Sequence, residues 1–337
     1  MCRTEGDISG DLAASGYVRS PAPKIVVLQR SGPSTTNSAG EISDIFQSLN
    51  SWPGRREAPE IILGRSITEN MHPLFVAALH EFAHGLSGRA QIAFDCHAAT
   101  GFSSDIVARL AQWLKAEWSL AAAGPKAGEM SAQELTYFIV SGAQRALALK
   151  QVIATAAERE PASILDVGAG IGFISFLAAL SGKAPVQHAC AVDVARKYKA
   201  PAERLWAAAP EIAFAFEPSG AETFQPAHTY DVVLICQCIF RFPASQRAEI
   251  FKRLMEALSP GGLLIINEIL RSGEGSDEDW NAKYPSCVPQ SELLAGLAPL
   301  GTPELYLRSS GWKDPVDPSP VSAREWASNS FLVLRRP

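Results

Sequence analysis

Ile164-Leu165-Asp166-Val167-Gly168-Ala169-Gly170-Ile171-Gly172-Phe173 decides the fold of this chain. An apolar run ends at an acidic residue, three glycines alternate, and a helical segment begins. Glycine permits a positive φ and lets backbone approach a ligand without a Cβ in the way. The order strand, tight turn, helix marks the ligand-facing end of a parallel α/β sheet. The pattern continues outward. Ser163–Val167, Gln187–Val192, Ile212–Phe216, Asp231–Cys236 and Leu263–Glu268 read as buried strands, with helices expected at 172–181, 201–209 and 244–258. Apolar strands alternating with helices predict a mostly parallel sheet covered on both faces. Glu304–Arg308 and Ser330–Leu334 are expected to pair as antiparallel strands across a Pro-rich loop.

The spacing of the glycines bears on the ligand. A dinucleotide fingerprint, G-x-G-x-x-G, would need its third glycine where this chain has Phe173. Asp166, two residues before Gly168, suits a positive ammonium better than a pyrophosphate. Ala191-Val192-Asp193 ends the next strand, and a carboxylate there can accept both hydroxyls of a ribose. Together these residues point to a ligand with a ribose and an ammonium group and no phosphates.

These stretches resemble the class I S-adenosylmethionine-dependent methyltransferases. Residues 164–172 match the glycine motif and Ala191–Val194 the ribose-binding strand end. Tyr230-Asp231-Val232-Val233-Leu234-Ile235 resembles the fourth strand, and Leu258-Ser259-Pro260-Gly261-Gly262-Leu263 the turn into the fifth. The resemblance implies a Rossmann-like, seven-stranded, mostly parallel sheet with an antiparallel last strand, and S-adenosyl-L-methionine as cofactor. It places Asp166, Gly168, Ala169, Gly170, Gly172, Asp193, Val194, Ala221, Cys236 and Gln237 at the cofactor. Gly220 stands where the family often has an acidic residue near the adenine, which leaves backbone groups, Glu217 or Glu222 for that role. In the O-methyltransferase branch a basic histidine sits about where this chain has Phe240, so no general base is assigned. Arg241, next in sequence, and Tyr137 are candidates for substrate contact. Cys236 and Cys238 form a C-x-C without a companion pair, which argues against zinc there.

Helices are expected from about residue 70 to 158. One runs from Pro73 to Gly88. A second, from Ser104, places Ile106, Leu110, Trp113, Leu114 and Trp118 on one side. The third opens on a capping box, Ser131 with Glu134, and continues through Leu135, Ile139, Gly142, Ala146, Leu149, Ile153 and Ala156. Gly142 and Ala146 make its stripe shallow, so a partner must approach closely there, either the catalytic domain or a second subunit in a homodimer. The expected organisation is an irregular segment at 1–60, a helical substrate, lid or dimerisation domain at 61–158, and the cofactor-binding domain at 159–337. A helical domain before the catalytic one resembles small-molecule methyltransferases.

His80-Glu81-Phe82-Ala83-His84 is a rival motif. H-E-x-x-H on a helix puts two imidazoles on one face, as zinc requires, with Glu81 placed to activate water. The extension to a third ligand fails at Ser87 and Ala90. His72, Asp95, Cys96 and His97 have no diagnostic spacing, so His80 and His84 are weak metal candidates only.

Composition narrows the rest. The chain has 337 residues, 47% of them hydrophobic, with 30 basic and 35 acidic side chains and a formal net charge of −5. An acidic balance disfavours nucleic acid as a partner. No apolar run is long enough to span a membrane, and the N-terminus lacks the basic-then-apolar order of a signal peptide. Six cysteines scattered through apolar runs suit a reducing, cytoplasmic setting. The first expectation is therefore methyl transfer to a small-molecule substrate. The alternatives are use of the aminocarboxypropyl arm of the same cofactor, with release of methylthioadenosine, and a zinc hydrolase centred on His80 and His84.

Overall fold

The computed structural model describes residues 24–28, 62–63, 71–87, 91–92, 102–123, 129–268, 270–271, 288–308 and 330–337. By its internal contacts the chain forms two compact units. One comprises residues 1–31, 151–168 and 219–337, the other residues 32–150 and 169–218.

The first unit is built on a sheet. Its strands are β1 (Lys24–Leu28), β4 (Ser163–Val167), β7 (Tyr230–Cys236), β8 (Leu258–Asn267), β11 (Glu304–Arg308) and β12 (Ser330–Arg335). β4 runs parallel to β7 with Leu165 opposite Val233, and β7 parallel to β8 with Val233 opposite Leu264. β12 is the reversed strand, antiparallel to β8 and to β11. β1 adds to β11 in parallel, Lys24 opposite Glu304. Leu165, Val233, Leu234, Ile235, Leu264 and Ile265 are fully buried, as strands covered on both faces require. Helix α6 (Ala244–Glu256) buries Ile250, Phe251, Leu254 and Met255. Short strands β9 (Leu270–Arg271) and β10 (Val288–Pro289) pair in parallel, and helix α7 (Gln290–Leu297) follows.

The second unit is mainly helical. It holds short parallel strands β2 (Ile62–Leu63) and β3 (Gln91–Ile92), and helices α1 (Pro73–Ser87) and α2 (Ser104–Ala122). It also holds α3 (Ala132–Ala156) as far as Lys150, α4 (Phe173–Ala179) and α5 (Lys199–Trp206). β5 (His188–Val192) and β6 (Ala213–Glu217) pair in parallel with Ala191 opposite Phe216. Phe173 anchors the helices: Trp113 of α2 stacks on it at 5.7 Å, and Phe75 of α1 meets it edge-on at 5.8 Å. Gly142 of α3 faces the same ring, and a Cβ there would come within 2.9 Å of it. The shallow stripe on the third helix is thus filled at Gly142 by the chain itself. Glu117, 2% exposed, pairs with Arg204 of α5, which lifts the guanidinium pKa further above its ordinary value.

The expected α/β class, mostly parallel strands and antiparallel strand near the C-terminus are present. Seven strands were expected; among the described residues six sheet strands belong to the first unit, besides the short pair β9 and β10, and β5 and β6 pair in the second. Most strand boundaries fall within a residue of expectation. The exception is β8, which begins at Leu258 rather than Leu263. Pro260-Gly261-Gly262 is therefore a bulge inside a strand: the register shifts between Tyr230 and Val232, and Gly261 takes φ +76°. The capping box is reciprocal. Glu134 N donates to Ser131 Oγ at 3.2 Å and Ser131 N to Glu134 Oε2 at 3.0 Å. The second helix begins at Ser104, as expected, and is capped by the Ser103 side chain, which accepts from Ile106 N. Residues 29–61, including the Ser/Thr/Gly-rich stretch at 31–40, lie outside the described set, as do Ala90, Asp95, Cys96 and His97.

Candidate functional site

The three glycines after β4 all adopt the left-handed region, Gly168 at φ +72°, Gly170 at +57° and Gly172 at +68°. An L side chain is costly there, about 1–2 kcal/mol per residue. The turn closes on itself through Gly172 N donating to Ala169 O at 2.8 Å, and α4 starts with Phe176 N donating to Gly172 O at 2.9 Å.

The close approaches at these glycines are to protein side chains. A Cβ on Gly168 would lie 2.8 Å from Cys238 Cβ, and one on Gly170 would lie 2.7 Å from Phe138 Cζ. Gly172 faces the Trp206 indole. The missing Cβ atoms make room for Cys238, Phe138 and Trp206.

In the second unit Asp193 caps the turn. Its Oδ2 accepts from Gly170 N and its Oδ1 from Ala195 N, both at 2.8 Å. Its own amide donates to Glu217 O at 3.2 Å, and Ala169 N donates to Val192 O at 3.2 Å. The strand end and the glycine turn are therefore tied at backbone and side chain. A carboxylate offers about four lone-pair sites, so two remain on Asp193 after these amides, one per oxygen, which fits a pair of vicinal hydroxyls. Val194, next in the chain, is 70% exposed. Phe138 meets Tyr198 edge-on at 5.1 Å, while Tyr137 is 53% exposed and touches the Phe138 ring. The aromatic at the glycine turn is thus Phe138, and the substrate candidate Tyr137 lies beside it toward solvent.

In the first unit Asp166 is 3% exposed within β4. Cys238 is buried and its thiol donates to Val167 O at 3.4 Å. After β7 the chain bends at Gln237, the sole described residue other than glycine with positive φ, at +50°. Such backbone persists only where its surroundings impose it, and it clusters at functional sites. Two bonds hold it: Gln237 N donates to Asn267 O at 2.7 Å, and Ile239 N to Glu268 Oε2 at 2.7 Å. Asn267 and Glu268 are both buried, and the sequence reading missed them; the only signal was a polar pair closing the apolar run Leu263–Ile266. Arg241 is exposed, its guanidinium 4.9 Å from the Phe240 ring centroid. Ala221 is buried in a turn where Gly220 O accepts from Thr223 N and Phe224 N, and the Glu222 side chain folds against Gly220.

The H-E-x-x-H stretch lies on α1 as expected. Glu81 is exposed, His80 is half-buried, and the His84 side chain is outside the described set. Among the described residues no group of three or more His, Cys, Asp or Glu side chains is placed to hold a metal ion. His72, considered as a third ligand, is spent elsewhere. It is fully buried with Nε2 2.6 Å from Ser181 Oγ, and burial, with Lys150 nearby, pushes its pKa down to about 3. Among the described residues no helix is long and apolar enough to cross a membrane.

Residues 141–297 match a protein-family model described as a methyltransferase domain. No curated protein matches the chain. Among solved structures, the N-methyltransferase NodS from Bradyrhizobium japonicum in complex with S-adenosyl-L-homocysteine is similar at 15% identity. It covers 68% of this chain and 99% of its own, with a TM-score of 0.42. The plantazolicin methyltransferase BpumL, bound to a desmethyl analogue and S-adenosyl-L-homocysteine, is similar at 17% identity over 57% of this chain and 82% of its own, TM-score 0.41. The amino pentose methyltransferase CalS10 from Micromonospora echinaspora is similar at 20% identity over 36% and 49%, TM-score 0.30.

Proposed function

We propose that this chain, whose residues 141–297 match a methyltransferase domain, is an S-adenosylmethionine-dependent enzyme that methylates a small-molecule acceptor, and that Asp193 holds the ribose of the methyl donor. The observation that carries the assignment is Asp193 fastened at each oxygen by one amide, with one acceptor site left on each. Two charge-assisted bonds to hydroxyls are the strong use of such a group. Asp166 and Gly168 take the amino-acid end, Ala169, Gly170 and Gly172 shape the turn, and Val194 and Ala221 flank the adenine. Cys236 and Gln237 border the reacting end, with the helices of residues 61–158 and Arg241 contributing to acceptor binding.

S-adenosylmethionine supplies a methyl group on a sulfonium. Bound there, it would offer that carbon for in-line displacement by an acceptor lone pair, with the neutral thioether as leaving group and any acceptor proton passing to solvent. The chain contributes orientation. A nucleophile held about 3–3.5 Å from the carbon and aligned with the breaking bond gains most of the achievable rate. No residue is assigned as base, which suits an acceptor already carrying its lone pair. No observation favours the aminocarboxypropyl or zinc-hydrolase alternatives.

Calorimetric titration with S-adenosylhomocysteine tests the assignment. Wild type is expected to bind, and Asp193→Ala to lose roughly 100-fold or more in affinity, since two hydrogen bonds to a charged group are together worth at least about 3 kcal/mol. Equal affinity in the two proteins would remove Asp193 from the site.

A further inference from the structure

Helix α3 reaches the Asp193 turn at two points one helical turn apart. Glu134 Oε1 accepts from Lys197 Nζ at 2.5 Å and from Tyr198 OH at 3.2 Å. Tyr198 N donates to Ala195 O at 2.9 Å, and Ala195 N donates to Asp193 Oδ1 at 2.8 Å. Four residues along the helix, Phe138 lies against Gly170 and edge-on to the Tyr198 ring. Gly170 N in turn donates to Asp193 Oδ2. Residues i and i+4 share a helix face, so one face of α3 backs both amides that hold the carboxylate.

We propose that Glu134 and Phe138 are positioning residues that set the Asp193 carboxylate for the ribose hydroxyls; the inference rests on the assignment of Asp193 given above. Glu134 fills this role beside its capping duty, since Oε2 accepts from Ser131 while Oε1 serves Lys197 and Tyr198. The Lys197 ammonium, then the Ser131 amide, hold its pKa at about 2, so it stays a charged acceptor across the working range. A carboxylate fixed before binding has less torsional freedom to lose when hydroxyls arrive. The brace is therefore felt in recognition of the hydroxyls and not in binding of the remainder of the ligand.

The test is calorimetry with S-adenosylhomocysteine and its 2′-deoxyribose counterpart on wild type, Glu134→Gln, Lys197→Met, Phe138→Leu and Asp193→Ala. Glutamine suits the same capping position, so Glu134→Gln keeps the helix start while removing the charge. Wild type is expected to prefer the hydroxylated ligand by about 30-fold, and Asp193→Ala to abolish the preference. Glu134→Gln, Lys197→Met and Phe138→Leu are expected to cut it by about fivefold each. If those three keep the wild-type preference, or weaken both ligands equally, the positioning role is overturned while the ribose assignment stands. If Asp193→Ala keeps the preference, both fall.

Discussion

Two stretches of this chain have the form of motifs, Asp166–Gly172 and His80–His84, and the fold treats them differently. At the glycine turn all three glycines are left-handed, and the carboxylate at the end of the next strand closes on the turn's own amide. On α1 the motif places Glu81 at the surface, and His72, just before the helix, is bonded to Ser181. A motif made of backbone torsions needs only its own strand and helix to take shape. A motif made of side chains needs a third group from elsewhere in the fold, which local spacing cannot supply.

The sharpest way to break this contrast is to remove Asp193 and His80 of α1 in parallel. Asp193→Ala is expected to lower kcat/KM for methyl transfer by about 100-fold or more, and His80→Ala to leave it within about twofold. The opposite ranking, read in a steady-state assay of S-adenosylhomocysteine release, would make α1 the functional region.

A smaller effect is expected at Gly170. Alanine there must sit at φ +57° and bring its Cβ against the Phe138 ring. The torsional part costs about 1–2 kcal/mol and the overpacking about 1–3 kcal/mol more. In the double variant Gly170→Ala, Phe138→Ala the overpacking part should vanish and the torsional part remain, so the two changes do not add. Additive losses in denaturant titration would mean that ring and glycine do not touch.

Much of this was legible because it is local. The strand ends at Val167 and Val192, the glycine spacing and the Ser131–Glu134 cap follow from short-range rules. What escaped reading depends on which strangers meet. Nothing near Gly170 in sequence announces Phe138, and nothing in the cap announces that Glu134 has a second oxygen spent on Lys197 and Tyr198. The glycine spacing does not announce which protein side chains the missing Cβ atoms accommodate. Periodicity showed that Gly142 and Ala146 needed a close partner, but not that Phe173 supplies it at Gly142. The strain at Gln237 is invisible too, because it is imposed by Asn267 and Glu268 some 30 positions away.

On the α1 side, His72 offers a pH test. Its folded pKa, about 3, lies below its ordinary value of 6.5, so as pH falls the unfolded chain takes up the proton first. Its contribution is complete above about pH 6.5, and stability falls by up to about 1.4 kcal/mol per pH unit until pH 3, below which this group adds no further loss. His72→Gln, which can keep a bond to Ser181, is expected to flatten that slope in urea titrations between pH 4 and 6.5. An unchanged slope would mean that His72 is protonated in the fold.

The smallest expected effect sharpens the comparison most. In a zinc hydrolase the glutamate of H-E-x-x-H is the base, and its removal would abolish turnover. Here Glu81 is exposed, and exposed substitutions away from caps and networks usually fall within about 0.5 kcal/mol. Glu81→Gln is therefore expected to shift stability by no more than that and methyl transfer by less than twofold. The same sample, dialysed against zinc and assayed by atomic absorption, should hold no stoichiometric metal in either form. A variant that kept its stability but lost activity more than tenfold would show Glu81 acting on the substrate. The likeness to a hydrolase motif would then reflect chemistry rather than the amphipathic spacing of a helix.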